Sequence, residues 1–181
     1  MSAAEYVALG ETAERYELID GIIVMSPSAS QPHSEAFAEV LFQLKIFARR
    51  MKSIRVLPEL DFEVNVLTVY RPDISVYLAS RLSNAQAARV ERGTLAPDLI
   101  VEVLSPSTRA LDLTTKRDDY GRAGVDEYWL VDPLTAVVRA FRQQGGVLAE
   151  ATLVADALTL ESSALSGFSL DLVLLREILA E

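Results

Sequence analysis

Cysteine is absent from the 181-residue sequence, and histidine occurs once, as His33. Without cysteine the chain has no disulfide scaffold, no zinc site built on thiolates and no cysteine nucleophile. With a single histidine it has neither a metal cage of several histidines nor a mechanism that needs two of them. These absences exclude the thiol-based and multi-histidine classes of site.

Long apolar runs are also missing, although half of the residues are apolar, which is enough to bury a core at this length. The longest runs, such as residues 99–104, have the length of a strand and contain a charge, so no membrane association is expected. The first residues lack the basic start and apolar core of a signal peptide. We therefore expect a cytoplasmic protein with one domain over residues 1–181.

Positive charge is scarce, and the net charge is −9. A general nucleic-acid binder usually presents a basic surface, so this total argues against one. The acidic excess lies at the two ends, however, because residues 1–35 and residues 150–181 each contain six acids and one base. The middle is close to neutral, and residues 41–60 contain five bases and one acid. Taken along the chain, the charge argues only weakly against nucleic acid.

The periodicity of the apolar residues predicts a mixed α/β (α+β) domain with one central sheet. Asp20-Gly21 predicts the turn of a β-hairpin, and Gly124 predicts the end of a helix. The strands over 54–57 and 60–66 are expected to pair with each other. The predicted elements are a hairpin over 16–25, helices over 33–52 and 109–123, strands over 54–57, 60–66, 73–78, 99–104 and 127–131, a polar loop over 80–93, a hairpin over 137–154 and a packed segment over 170–179.

Two carboxylates interrupt apolar strands: Asp73 at the start of DISVYL and Glu102 within LIVEVL. Such a carboxylate is costly to bury unless a positive group meets it. One interpretation is that each residue points outward or pairs with an arginine. The other is that the two together form the oxygen-rich site that a hard divalent ion such as Mg²⁺ prefers.

Asp112, Lys116 and Tyr120 follow at i, i+4 and i+8, so that one face of the predicted helix presents all three. This helix begins directly after the strand of Glu102, and its lysine can lean back over the end of that strand. A lysine there would orient or deprotonate a water molecule and stabilise charge on a phosphate, as metal-dependent phosphodiester hydrolysis requires. The alternative is a surface Asp–Lys pair worth about 0.3–0.5 kcal/mol.

Several segments, in this order, carry a resemblance to a known family. The chain resembles the Uma2 (DUF820) family of restriction endonucleases, within the PD-(D/E)xK nuclease superfamily. The resemblance extends over about residues 12–142, which we take as the core, with a C-terminal hairpin and tail over 143–181. Its segments are YELIDG (16–21), Pro32-His33, RPD (71–73), PDLIVEVLSPST (97–108), Asp112-x-x-x-Lys116-x-x-x-Tyr120 and GVDEYWLVDP (124–133).

The resemblance implies a restriction-endonuclease-like core, in which helices flank a central mixed sheet, extended by an N-terminal β-hairpin and a C-terminal extension. It implies a DNA endonuclease that depends on Mg²⁺ or Mn²⁺, with Asp73 and Glu102 as metal ligands and Glu17 in the outer shell of the metal. The superfamily lysine lies two residues after the second acid, where this chain has Leu104. The resemblance implies that Lys116 replaces it and that Asp73, Glu102 and Lys116 are the catalytic residues.

Four further residues are candidates for contacts with DNA, and each has a structural alternative. His33 heads the first long helix in the family pattern, and Ser105 can bind a phosphate or cap the next helix. Lys45 and Arg49 belong to a basic strip that can follow a phosphate backbone or remain a solvated helix face.

The oligomeric state and the function keep alternatives of their own. A homodimer would suit double-strand cleavage, and the apolar tail can serve as its interface or be buried within a monomer. A nuclease fold that only binds a partner, and a hydrolase of another phosphoester, remain alternative functions.

Overall fold

A six-stranded mixed sheet forms the centre of the computed structural model, which describes residues 1–10, 15–26, 28–82 and 95–180. The strands are β1 (Tyr16–Ile19), β2 (Ile22–Met25), β3 (Ile54–Pro58), β4 (Phe62–Asn65), β5 (Thr68–Tyr70), β6 (Ile74–Leu78), β7 (Leu99–Val103), β8 (Glu127–Asp132), β9 (Val137–Gln144), β10 (Val147–Val154), β11 (Thr159–Glu161) and β12 (Ser169–Asp171). The helices are α1 (Ala3–Ala8), α2 (Gln31–Met51), α3 (Arg109–Leu111), a π-helical turn (Asp112–Lys116), α4 (Arg117–Ala123) and α5 (Leu172–Leu179).

The central sheet has the order β10-β9-β8-β7-β6-β3, and a second, four-stranded sheet has the order β2-β1-β5-β4. Within the central sheet β7 and β8 run parallel, whereas β6 pairs with β7 in the antiparallel sense. The central sheet is therefore mixed, as predicted. The N-terminal hairpin pairs with β5 rather than with the central strands, so it belongs to the second sheet.

Helices cover both faces of the central sheet. All five residues of β7 are buried, as expected for a strand that is covered on both sides. On one face, Val40 and Leu44 of α2 pack with Val101 and Trp129. On the other face, Ile100 and Glu102 point toward α4 and the four-stranded sheet, because successive side chains of a strand alternate between the two faces.

The predicted pairing of residues 54–57 with 60–66 is wrong. Strand β3 pairs with β6 instead, with Val56 opposite Val76, and β4 joins β5 in the second sheet. Glu59, between β3 and β4, has a φ of 51°, which turns the chain away from the central sheet. The alternating pattern of β4 buries Phe62 against the ring of Tyr120, so the same pattern is satisfied by a different partner.

The hairpin of β1 and β2 is confirmed. Its turn residues Asp20 and Gly21 have φ values of 49° and 80°, the left-handed pair that a two-residue hairpin turn requires. Gly124 ends α4 at a φ of 88°. The tail forms β12 and then α5, which packs on α2 in the larger apolar core.

Within the described residues, no helix is long and apolar enough to cross a membrane. The polar loop that was predicted over residues 80–93 lies outside the described residues from position 83 onward.

Candidate active site

The predicted catalytic and metal-binding residues converge on one cavity of about 50 Å³, between the end of β7 and the start of β6. Ile74 lies opposite Val101 in the antiparallel ladder, and continuing this register places Asp73 beside Glu102. Both carboxylates line the same cavity, on the same side of the sheet. The other charged and polar residues that line it are Arg15, Glu17, Ser26, Ser28, His33, Ser105, Thr108, Asp112 and Lys116.

The side chains of Asp73 and Glu102 each accept a backbone hydrogen bond from the strand of the other residue. The backbone N–H of Asp73 donates to Glu102 Oε2 at 3.2 Å, and the backbone N–H of Val103 donates to Asp73 Oδ2 at 2.8 Å. These two side chains thus take the place of the backbone-to-backbone hydrogen bonds at the point where β6 and β7 separate. Because the carboxylates accept hydrogen bonds from the sheet itself, their positions are fixed by the fold.

Lys116 lies at the centre of the acidic groups, and only 4% of its side chain is exposed. Its Nζ donates to Glu17 Oε1 at 3.0 Å and to Glu102 Oε1 at 3.2 Å, and lies 3.5 Å from Asp112 Oδ1. The π-helical turn from Asp112 to Lys116 carries these two residues into the interior. Such turns are rare and often occur at functional sites.

The protonation of Lys116 follows from these neighbours. Although burial opposes it, the negative charges of Glu102, Glu17 and Asp112 raise the pKa of Lys116 well above its usual value. The lysine is therefore a cation in contact with three carboxylates, and it does not accept a proton while these groups face it.

The two central carboxyl groups differ in acidity. Burial raises the pKa of Glu102 to about 8, against the effect of Lys116. Burial also opposes ionisation of Asp73, but the hydrogen bond from His33, the charge of Arg15 and the N–H of Val103 lower its pKa to about 2. Asp73 is thus the permanent anion of the pair, and Glu102 ionises more readily when another cation comes close.

Glu17 and Tyr120 complete the inner group of residues. Glu17, 5% exposed, accepts the backbone N–H of Arg71 and the ammonium of Lys116 through the same oxygen, Oε1. Tyr120 is fully buried and donates its hydroxyl to Glu102 Oε1 at 2.9 Å. The spacing of Asp112, Lys116 and Tyr120 predicts that Tyr120 faces the same group, and Tyr120 does so from within the core.

Arg15 is a site residue for which the sequence offered no signal. It precedes the first hairpin, and its Nη2 donates to Asp73 Oδ1 at 2.9 Å across 58 positions of the chain. Asp112 is part of the segment Asp112-x-x-x-Lys116-x-x-x-Tyr120, but the sequence assigns it no function. Its Oδ1 is buried and has no hydrogen-bond partner among the described residues.

Two of the four predicted DNA-binding residues reach the cavity. His33 Nε2 lies 3.5 Å from Asp73 Oδ2, and Ser105 lines the cavity with its hydroxyl 2.9 Å from that of Thr108. Lys45 donates to the backbone oxygen of Val56, and Arg49 is exposed. At about 1.5 Å per helical residue they lie about 18 and 24 Å along α2 from His33, away from the cavity.

The donor set fits a hard divalent cation. Within the described residues no three carboxylate or imidazole groups form a ready-made metal cage. Mg²⁺, however, usually keeps several waters and takes one or two carboxylates from the protein. The excess of acids over bases indicates room for more positive charge, and Asp112 Oδ1, although 3.5 Å from Lys116 Nζ, has no hydrogen-bond partner among the described residues. The acids are Glu17, Asp73, Glu102 and Asp112, and the bases are Arg15 and Lys116.

A solved structure supports the fold. A structure from Anabaena variabilis, described as a putative nuclease belonging to DUF820, is 27% identical, with 99% of each chain covered and a TM-score of 0.81. The type IIG restriction endonuclease BpuSI is 18% identical over 67% of this chain and 13% of its own, with a TM-score of 0.39, which is too low to support an inference. No curated protein matches the chain.

The similarity to the Anabaena structure and the mixed sheet with helices on both faces confirm the predicted restriction-endonuclease-like fold. The Uma2 family model, described as "Putative restriction endonuclease", matches residues 3–173. The chain therefore belongs to the Uma2 family.

Proposed function

We propose that the protein is an endonuclease that hydrolyses phosphodiester bonds of DNA with the help of Mg²⁺ or Mn²⁺. One observation carries the proposal: Asp73 and Glu102, from neighbouring strands, line one cavity together with the ammonium of Lys116. Membership of a family described as restriction endonucleases supports DNA as the substrate. A decayed, purely binding version of the fold is disfavoured, because all three residues are present and in contact.

The residues that would hold the metal ion are Asp73 and Glu102, with Glu17 in its outer shell. A bound divalent ion supplies Lewis-acid chemistry, which polarises a phosphoryl oxygen and lowers the pKa of a water molecule. The chain contributes fixed oxygen donors, since both carboxylates are anchored to backbone N–H groups of the opposite strand. Fixed donors cost little reorganisation when the reaction occurs.

Lys116 and Tyr120 position Glu102. Both donate to the same oxygen, Oε1, which leaves Oε2 with the weaker contact to the backbone of Asp73. The ammonium of Lys116 also stabilises negative charge that develops on the phosphate or on the leaving oxygen. Lys116 thus assists the reaction by orienting the attacking water and by stabilising negative charge.

The edge of the cavity is suited to a phosphate. His33 and Ser105 lie beside the start of α2 and of the helical segment that begins at Arg109. Helix N-termini and hydroxyl groups commonly contact nucleic-acid phosphates. The basic strip of Lys45 and Arg49 on α2 is a second candidate for contact with the DNA backbone.

The proposal is tested by incubating supercoiled plasmid and single-stranded DNA with the protein and Mg²⁺, Mn²⁺ or EDTA. Parent protein is expected to cleave only with metal, and Asp73→Asn, Glu102→Gln and Lys116→Met are expected to abolish cleavage. Glu127→Gln is the matched control, because Glu127 is a fully buried strand carboxylate outside the cavity, where it accepts hydrogen bonds from Ser162 and Ala164. Cleavage that persists in all three site variants would overturn the assignment.

A further inference from the structure

Arg15 forms an ion pair with Asp73, the carboxylate that the metal ion would need. Its Nη2 donates to Asp73 Oδ1 at 2.9 Å and to the backbone oxygen of Arg71 at 2.9 Å, and its Nη1 donates to Glu59 Oε1 at 3.0 Å. Asp73 is buried, with 6% of its side chain exposed, whereas 28% of the Arg15 side chain is exposed. The guanidinium therefore contacts the buried Asp73 on one side and the exposed Glu59 on the other.

The guanidinium and a metal ion compete for Asp73. Both are cations, and within a few ångströms of each other in a partly buried site they repel strongly. Without a metal ion, Arg15 is the group that compensates the charge of Asp73. Once a divalent ion binds Asp73, the contact with Arg15 loses most of its value, and the guanidinium is available for another anion.

A phosphate is the anion best suited to the released guanidinium. Arginine binds phosphate through two parallel N–H donors, a geometry that lysine cannot reproduce. Arg15 already lines the cavity together with His33 and the hydroxyl groups of Ser26, Ser28 and Ser105, all of which can donate to a phosphate. Its Nε is buried and has no hydrogen-bond partner within the described part of the chain, so its donors are not saturated in the present arrangement.

We propose that Arg15 is an exchangeable counter-ion: it neutralises Asp73 in the metal-free protein and binds a DNA phosphate when the metal ion takes Asp73. This inference rests on the proposed nuclease function. It assigns to Arg15 a substrate-binding role that depends on metal, and it links metal loading to DNA binding through one side chain.

The proposal is tested with the substitution Arg15→Gln, by measuring the affinity of the variant for Mn²⁺ and for DNA. Removing the competing cation should tighten Mn²⁺ binding to the free protein, measured by the electron paramagnetic resonance signal of unbound Mn²⁺. Losing the phosphate contact should weaken binding of a fluorescent DNA duplex in Ca²⁺, measured by anisotropy, with the duplex checked for cleavage on a gel. Each shift is expected to be at least about fivefold, the lower end of ordinary coupling between sites.

The opposite signs of the two shifts are diagnostic. An arginine that only supports the fold would weaken both affinities or neither, and either outcome overturns the proposal. Tighter Mn²⁺ binding with unchanged DNA affinity refutes the transfer to phosphate. Arg139→Gln is the control for the loss of one positive charge, because Arg139 lies on β9 outside the cavity, 3.9 Å from Glu150; both affinities should remain near those of the parent.

Failure of this inference is distinguishable from failure of the proposed function. If the parent binds no Mn²⁺, and Asp73→Asn behaves identically, the metal-dependent nuclease itself is refuted. If the parent binds Mn²⁺ and loses it in Asp73→Asn while Arg15→Gln matches the parent, only the role of Arg15 is refuted. Circular dichroism of each variant excludes loss of fold as the cause.

Discussion

Asp73 and Glu102 are linked across two antiparallel strands by reciprocal side-chain-to-backbone contacts: Glu102 accepts the N–H of Asp73, and Asp73 accepts the N–H that follows Glu102. Each carboxylate thus depends on the strand of the other for its position. A substitution at one residue is expected to disturb the orientation of its partner. The pair should behave as a unit, so that effects of the two single variants are not additive in the double variant.

Lys116→Met should destabilise the protein strongly. It removes the cation that lies among Glu17, Glu102 and Asp112 and leaves them buried without their shared partner. Breaking a buried ion pair from one side typically costs about 3–5 kcal/mol. Urea unfolding measures the change, and Lys52→Met, at an exposed position, should change stability by less than about 0.5 kcal/mol. Equal costs for the two variants would contradict the central role of Lys116.

The unfolding free energy should decrease as the pH rises toward 8. Glu102 has a pKa of about 8 in the folded protein, compared with 4.5 ordinarily. Between these values the folded state retains a proton that the unfolded state has released, so stability falls by up to about 1.4 kcal/mol per pH unit and levels off above the higher value. Asp73, with its lowered pKa of about 2, has the opposite effect but only below its ordinary value of 3.8.

Denaturant titrations over this pH range test the effect. Glu102→Gln cannot ionise and should show a flatter profile, whereas Glu150→Gln, with 44% of its side chain exposed, should match the parent. A parent profile that rises with pH through this window would show that Glu102 is ionised in the folded state at neutral pH.

Much of this architecture could be predicted from the sequence, because apolar periodicity and turn residues report local structure directly. The apolar run over 99–104 predicted a strand, and Asp20-Gly21 predicted a tight hairpin; both are confirmed. The spacing of Asp112, Lys116 and Tyr120 predicted a shared face. These signals arise within a few residues of one another, where geometry is fixed by the backbone alone.

Strand partners and long-range contacts could not be predicted in the same way. An alternating strand such as β4 needs a covered face but does not specify its partner, and it pairs with β5 instead of β3. Arg15 reaches Asp73 from 58 positions away. No periodicity connects such residues, and only the assembled sheets bring them together. The resemblance to the Uma2 family, and not a local pattern, predicted that Glu17 shares one site with Asp73 and Glu102.

Tyr120→Phe should cost more stability at high pH than at low pH. The substitution keeps the ring, which packs against Tyr70 and Tyr128 at centroid distances of 5.5 and 5.3 Å, and removes only the hydroxyl that donates to Glu102. A hydrogen bond to a charged group contributes about 1.5–3 kcal/mol, and one to a neutral group about 0.5–1.5 kcal/mol. The cost should therefore grow as Glu102 ionises above its pKa of about 8.

Tyr128→Phe is the matched control. Tyr128 is equally buried and donates its hydroxyl to the backbone oxygen of Asp112 at 3.2 Å, a neutral acceptor. Its loss should lower the unfolding free energy by the same amount at about pH 6 and about pH 9. If the two variants show the same dependence on pH, Tyr120 is a packing residue that does not stabilise the ionised form of Glu102.

DNA binding should depend on metal and decrease with salt. The net charge of −9 and the acidic cavity repel phosphates, and a divalent ion at Asp73 and Glu102 offsets the excess of acids over bases in the cavity. We expect anisotropy titrations of a labelled duplex to give at least about tenfold tighter binding in Ca²⁺ than in EDTA, and a logarithm of affinity that falls linearly with the logarithm of salt concentration. Asp73→Asn should bind equally in both conditions, because it lacks the ligand. Tight binding in EDTA that salt does not weaken would mean that phosphate contacts near this cavity do not control recognition.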